Sequence, residues 1–113
     1  MRIKNANVAA GLISVHPCMT VVMLSVERHL GEYTTITDTD RRVNGKSLHR
    51  YGLALDFRTK DRFLNEGSED ERYRVLKMQV KKIAADLPGF DVVLENFGEA
   101  NEHLHIEFDP RVG

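Results

Sequence analysis

The sequence predicts an α+β domain in which two main helices cover one face of a small, mainly antiparallel sheet and polar residues gather on the other. Two stretches repeat apolar residues at helical spacing: Met19, Val22, Met23, Val26 and Leu30, then Tyr73, Leu76, Val80, Ile83, Ala84 and Leu87. Between and after them, residues 33–37, 53–57, 91–95 and 103–108 are β-branched, aromatic or alternately apolar, as strands are. In the second and last of these strands the residues between the apolar ones include histidines and carboxylates.

Residues 1–15 read as a lead-in with no assigned structure. Val8 to Val15 is mostly apolar and follows a basic Met1-Arg-Ile-Lys, as in a secretion signal. The run is short, carries Gly11 and Ser14, and reaches His16-Pro17 without a small-x-small cleavage site, so it reads as mature protein. Pro17 suits the first position of a helix and Gly31 its end. Cys18 and His29, on or beside this helix, are expected as a small buried or partly buried side chain and a solvated helix end, and His16 as a cap or loop residue.

Tyr33 to Thr37 is the first strand, and Asp38 to Lys46, with Asn44-Gly45, a loop. In the next strand Leu53, Leu55 and Phe57 are expected to face the core, with Asp56 on the opposite side. Arg58 to Gly67 is charged and irregular. Ser68 and Glu71 have capping-box spacing and start the second helix, whose Lys77, Lys81 and Lys82 lie off the apolar stripe, and Pro88-Gly89 ends it. Asp91 to Glu95 is a strand, and a loop containing Gly98 leads to the last one. There Leu104, Ile106 and Phe108 alternate with His103, His105 and Glu107.

At 113 residues the chain is read as one domain, large enough for a core and too short for a second module. Hydrophobic residues at 42% and charged residues at 29% are ordinary for a globular protein. Sixteen basic against seventeen acidic residues, a formal charge of -1, give no broad attraction for nucleic acid or an anionic membrane. No stretch approaches the roughly 20 apolar residues of a membrane span, so no membrane insertion is expected. The single cysteine cannot form an intramolecular disulfide.

The chemistry concentrates in Ser47 to Phe57 and Asn101 to Phe108. Two histidines and one carboxylate, with a position left for water, make a catalytic zinc site, and one cysteine cannot close a thiolate site. Neighbouring strands would present Asp56 and His105 on one face, with His49 entering from the segment before Gly52. Glu102, three residues before His105, lies where it can reach a metal-bound water. Two imidazoles and a carboxylate do not by affinity alone select zinc over other divalent ions.

Ser47-x-His49-x-x-Gly52-x-Ala54-x-Asp56 followed by Glu102-x-x-His105 resembles the D-alanyl-D-alanine carboxypeptidase and L-alanyl-D-glutamate endopeptidase family of zinc peptidases, which includes small phage endolysins. The lysostaphin-type peptidases and the hedgehog domain share the wider zinc pattern, and His103-x-His105 is similar to theirs. The resemblance covers about Tyr33 to Phe108. It implies one zinc per chain on His49, Asp56 and His105, with Glu102 as general base and His103 competing for that role or holding the oxyanion.

The family's substrate-gripping arginine follows a Ser-Gly-Tyr turn. Here Asp38-Thr39-Asp40-Arg41-Arg42 occupies that place, so Arg41 or Arg42 would bind a substrate carboxylate, with Ser47 and Tyr51 as further substrate or supporting contacts. Leu104 stands where the family often has Trp or Pro. Glu107 is placed to orient a ligand histidine.

The implied activity is hydrolysis of a peptide bond in the stem peptide of bacterial peptidoglycan, by a monomer that stays cytoplasmic until released to the cell wall. From another class, a zinc-stabilised binding module of hedgehog type without peptidase activity fits the same ligands, and a structural protein without metal is a third alternative.

Overall fold

The computed structural model describes residues 1–12, 15–39 and 53–109. Among them the chain runs β1 (Arg2–Ile3), α1 (Ala6–Leu12), α2 (Met19–Leu30), β2 (Thr35–Asp38), β3 (Ala54–Arg58), α3 (Glu69–Asp86), β4 (Phe90–Glu95) and β5 (His103–Phe108). The strands form one mixed sheet in the order β1-β2-β3-β5-β4, with β1 parallel to β2 and the other neighbours antiparallel. The α+β class and both main helices agree with the sequence reading.

The alternation in β3 and β5 sets the two faces of the sheet. Leu55, Phe57, Leu104 and Ile106 are fully buried and share one core with Val22, Val26, Leu76 and Ile83 from the helices. Burial of each such side chain contributes roughly 1.5–3 kcal/mol. The expected role of Leu53 and Phe108 is weaker: Leu53 is half-buried outside β3 and Phe108 is exposed at the end of β5. Their backbones still pair, Phe108 N–H donating to the Leu53 carbonyl at 2.9 Å.

α2 ends as its glycine predicts, with Gly31 at φ 103° and its N–H on the Glu27 carbonyl at 2.9 Å. α3 starts at Ser68, whose Oγ accepts the Glu71 N–H at 3.2 Å. Its buried stripe passes through Arg72, Leu76, Val80 and Ile83 rather than through Tyr73 and Ala84, which are exposed. An arginine takes the apolar position because its guanidinium meets a buried carboxylate there, while Tyr73 packs edge-on against Phe97 with ring centroids 4.6 Å apart.

The two main helices are joined where Asp86 Oδ2 accepts hydrogen bonds from Ser25 Oγ and His29 Nε2, both at 2.9 Å. His29 is therefore tied to α3 and is not a solvated helix end. It and then Ser25 hold the Asp86 carboxyl below its ordinary range. Cys18 is half-buried as expected, and His16 acts as a cap, its Nδ1 accepting the Cys18 N–H at 3.1 Å.

The lead-in has structure that the sequence did not announce. β1 pairs Arg2 with Thr35 and Ile3 with Ile36, and α1 docks through Val8, whose carbonyl accepts from Thr39 Oγ1 at 3.2 Å. Gly11 lies so close to Thr39 that a Cβ there would overlap its side chain. Among the described residues no helix is long and apolar enough to cross a membrane.

Candidate metal centre

β3 and β5 pair Ala54 with Glu107, Asp56 with His105 and Arg58 with His103. Residues directly opposite in an antiparallel pair point to the same side, so Asp56, Arg58, His103, His105 and Glu107 share the face away from the helices. β4 adds Glu95 opposite His103 and Val93 opposite His105, and β2 adds Asp38 opposite Asp56 after an irregularity in register.

At the centre of this face Asp56 Oδ1 lies 2.6 Å from His105 Nδ1, and His105 Nε2 lies 3.4 Å from Glu107 Oε1. Burial would lower the His105 pKa, but the Asp56 hydrogen bond and charge, then Glu107 and Glu95, raise it to about 9. In this arrangement Asp56 and His105 form an ion pair through the Nδ1 proton; a carboxylate and an imidazole on adjacent strands are residue types that bind a divalent metal once that proton is displaced, and Glu107 lies beside the other ring nitrogen. These two residues are as far as the described structure goes. Among the described residues no group of three or more His, Cys, Asp and Glu could hold a metal, and the third expected ligand, His49, lies outside them with Arg41, Arg42, Ser47 and Tyr51.

Glu102 borders the same region but sends its carboxylate inward, leaving the residue 2% exposed. Oε1 accepts from Thr59 Oγ1 at 2.7 Å and Arg72 Nη2 at 2.6 Å, and Oε2 from Arg72 Nη1 and the Gly98 N–H, both at 2.9 Å. Two donors on each oxygen fill its acceptor capacity. Although burial pushes its pKa up, Arg72, the Gly98 N–H and Thr59 bring it down to about 2. The Arg72 guanidinium also donates to the Thr59 and Arg62 carbonyls and lies over the Phe97 ring.

His103 is held on the open face. Its Nδ1 lies 2.7 Å from the Asn101 carbonyl and its Nε2 3.2 Å from Glu95 Oε1. Only a protonated Nδ1 can donate to that carbonyl, so in the neutral ring Nε2 carries the lone pair and faces the Glu95 carboxylate.

A cleft of about 440 Å³ lies over this part of the sheet, lined by Lys4, Thr37, Asp38, Asp56, Arg58, Ala100, Asn101, Glu102 and His103. Lys4 and Arg58 were not singled out by the sequence reading. Arg58 had a signal, since it stands two residues from Asp56 in a strand and so shares its face. Lys4 had none, because its position depends on β1.

No protein-family model, curated protein or solved structure matches this chain.

Proposed function

We propose that the chain is a zinc peptidase acting on the stem peptide of bacterial peptidoglycan, with His49, Asp56 and His105 as metal ligands. The observation that supports this most is the Asp56–His105 pair on the open face of the sheet, 2.6 Å apart beside a cleft of about 440 Å³. It adds to the His49-x6-Asp56 and Glu102-x-x-His105 spacings in the sequence. Bound zinc would supply polarisation of the scissile carbonyl and a water with a pKa near ~7.

In this reading His103 takes the proton from the attacking water. Its Nε2 is the basic nitrogen, the Asn101 carbonyl fixes the ring, and Glu95 receives the hydrogen bond of the protonated form. Glu102 holds the turn before β5, so that His103 and His105 keep their spacing on the sheet. By the resemblance, Arg41 or Arg42 would bind a substrate carboxylate, with Ser47 and Tyr51 as further substrate or supporting contacts.

The test has two parts. Metal analysis of dialysed protein is expected to give about one zinc per chain, lost in His49→Ala and His105→Ala. Mass spectrometry of muropeptides is then expected to show a new fragment from zinc-loaded wild type and none from His103→Ala. The fragment's mass separates removal of terminal D-alanine from cleavage between L-alanine and D-glutamate.

A second reading, the zinc-stabilised binding module, is favoured by the saturated Glu102 carboxylate, which leaves a carboxylate at the base position unavailable to water. Bound zinc with intact muropeptides of several chemotypes would select it.

A further inference from the structure

Arg58 and Lys4 both line the cleft beside Asp56 and His103, and among the described residues no carboxylate forms an ion pair with either. The neighbouring acids are already engaged: Asp56 with His105, Glu95 with His103, and Asp38 with a partner of its own. Arg58 is half-buried on the sheet face, and a guanidinium drawn partly out of water with no counter-charge among the described residues is favoured by an anion that meets it.

The backbone explains why the two cations share one cleft. Arg58 is opposite His103 on β5. On its other side, Lys4 N–H donates to the Ile36 carbonyl at 3.0 Å, and Ile36 pairs with Phe57, the residue before Arg58. Lys4 therefore reaches the cleft from across β2. Arg58 offers a planar fork that fits a carboxylate bidentately, and Lys4 a mobile point charge.

We propose that Arg58 and Lys4 form a carboxylate-binding subsite that holds a free carboxylate of the peptide ligand against the Asp56–His105 face. The proposal deepens the peptidase reading, on which it rests for the ligand being a stem peptide. The carboxylate could come from the peptide's terminal D-alanine or from its D-glutamate. Both present the same chemistry to the cleft, and the experiment separates them.

The probes are N-acetyl-D-alanine, N-acetyl-D-glutamate and their amides, which contain no bond between amino acids for a peptidase to cut. Binding is followed by NMR through the backbone amide resonances of cleft residues in every protein, and also through the Nε–H resonance of Arg58 where arginine is present, in zinc-loaded and in EDTA-treated protein. The acids are expected to bind about 10-fold or more tightly than the corresponding amides, with the Arg58 resonance shifting. The better of the two acids identifies the source of the carboxylate. Arg58→Met and Lys4→Met, checked for folding by their amide spectra, are expected to erase the preference for acid over amide.

Equal affinity for acid and amide, no binding of either up to about 10 mM, or a preference that survives in folded Arg58→Met would each overturn the subsite. The amide comparison in the wild type decides even where a variant does not fold. A retained carboxylate preference without muropeptide cleavage would sink the peptidase reading and leave the subsite standing, and cleavage without the preference would do the reverse.

Discussion

The guanidinium of Arg72 grips both oxygens of Glu102, Nη2 on Oε1 at 2.6 Å and Nη1 on Oε2 at 2.9 Å, and so joins α3 to the start of β5 inside the protein. The Arg72 side chain is 8% exposed and that of Glu102 not at all. A buried pair of this kind has already lost its hydration, so removing one partner strands the other. Arg72→Met is expected to lower the unfolding free energy by about 3–5 kcal/mol. The double variant Arg72→Met, Glu102→Met should recover a large part of that loss, because neither charge is then left buried. Urea denaturation of the two variants and wild type checks this, and equal loss in single and double variants would contradict it.

The same pair sets an acid limit. The Glu102 carboxyl is lowered from 4.5 to about 2 in the folded chain, so the unfolded state binds its proton first as pH falls. Its contribution is therefore fully present above pH about 4.5 and lost as pH falls from there through about 2. By linkage it is on the order of 3 kcal/mol. Glu102→Gln should be less stable than wild type at pH 6, and the difference should shrink steadily below pH 4.5. A difference that stays constant down to pH 2 would mean that the carboxylate is not held in this way.

This network also marks the boundary of what the sequence made legible. β5 was readable because Leu104 and Ile106 alternate with His103 and His105, and β3 because Leu55 and Phe57 flank Asp56. The side of the sheet on which each polar residue lies followed from that period of two. Glu102 sits just before β5, where no alternation applies, and its burial depends on Arg72, thirty residues earlier. Arg72 in turn occupies an apolar stripe where a pattern of hydrophobic residues selects Tyr73 instead. Periodicity carries information within one element, whereas a charge pair between elements leaves no local trace. β1 and α1 were missed for another reason. Two and seven residues are too few to establish a period, and their docking depends on Thr35 and Thr39 of distant chain.

The N-cap of α3 gives a local prediction. Ser68 Oγ accepts the Glu71 N–H in the first turn, where Glu69, Asp70 and Glu71 also favour the positive end of the helix dipole. Ser68→Ala is expected to cost about 1 kcal/mol, and Ser68→Asp to cost much less. Thermal unfolding of the three proteins would show the order, and an unchanged midpoint for Ser68→Ala would remove the cap from the account.

Gly11 tests whether α1 belongs to the fold. A methyl there would meet the Thr39 side chain, which also donates to the Val8 carbonyl. Gly11→Ala should therefore cost about 1–3 kcal/mol through overpacking, although alanine is the better helix former by itself. A stabilised Gly11→Ala would mean that propensity outweighs the contact and that α1 does not press against the end of β2.

The last prediction separates the two residues that the sequence offered as base. If Glu102 works through the fold, Glu102→Ala loses stability through the stranded Arg72 charge, with any loss of turnover following the fraction unfolded. His103 has no such structural load, since its ring lies on the open face with Asn101 and Glu95 as partners. In the peptidase reading, His103→Ala is therefore expected to remain within about 1 kcal/mol of wild-type stability and to keep its metal. Its turnover should fall by roughly 10²–10⁴-fold, the usual scale for a lost general base. Metal content, urea midpoint and muropeptide cleavage measured on the same preparations give the comparison. A folded, zinc-loaded Glu102→Ala without activity, beside an active His103→Ala, would return the base role to Glu102 and require its carboxylate to leave Arg72 during turnover.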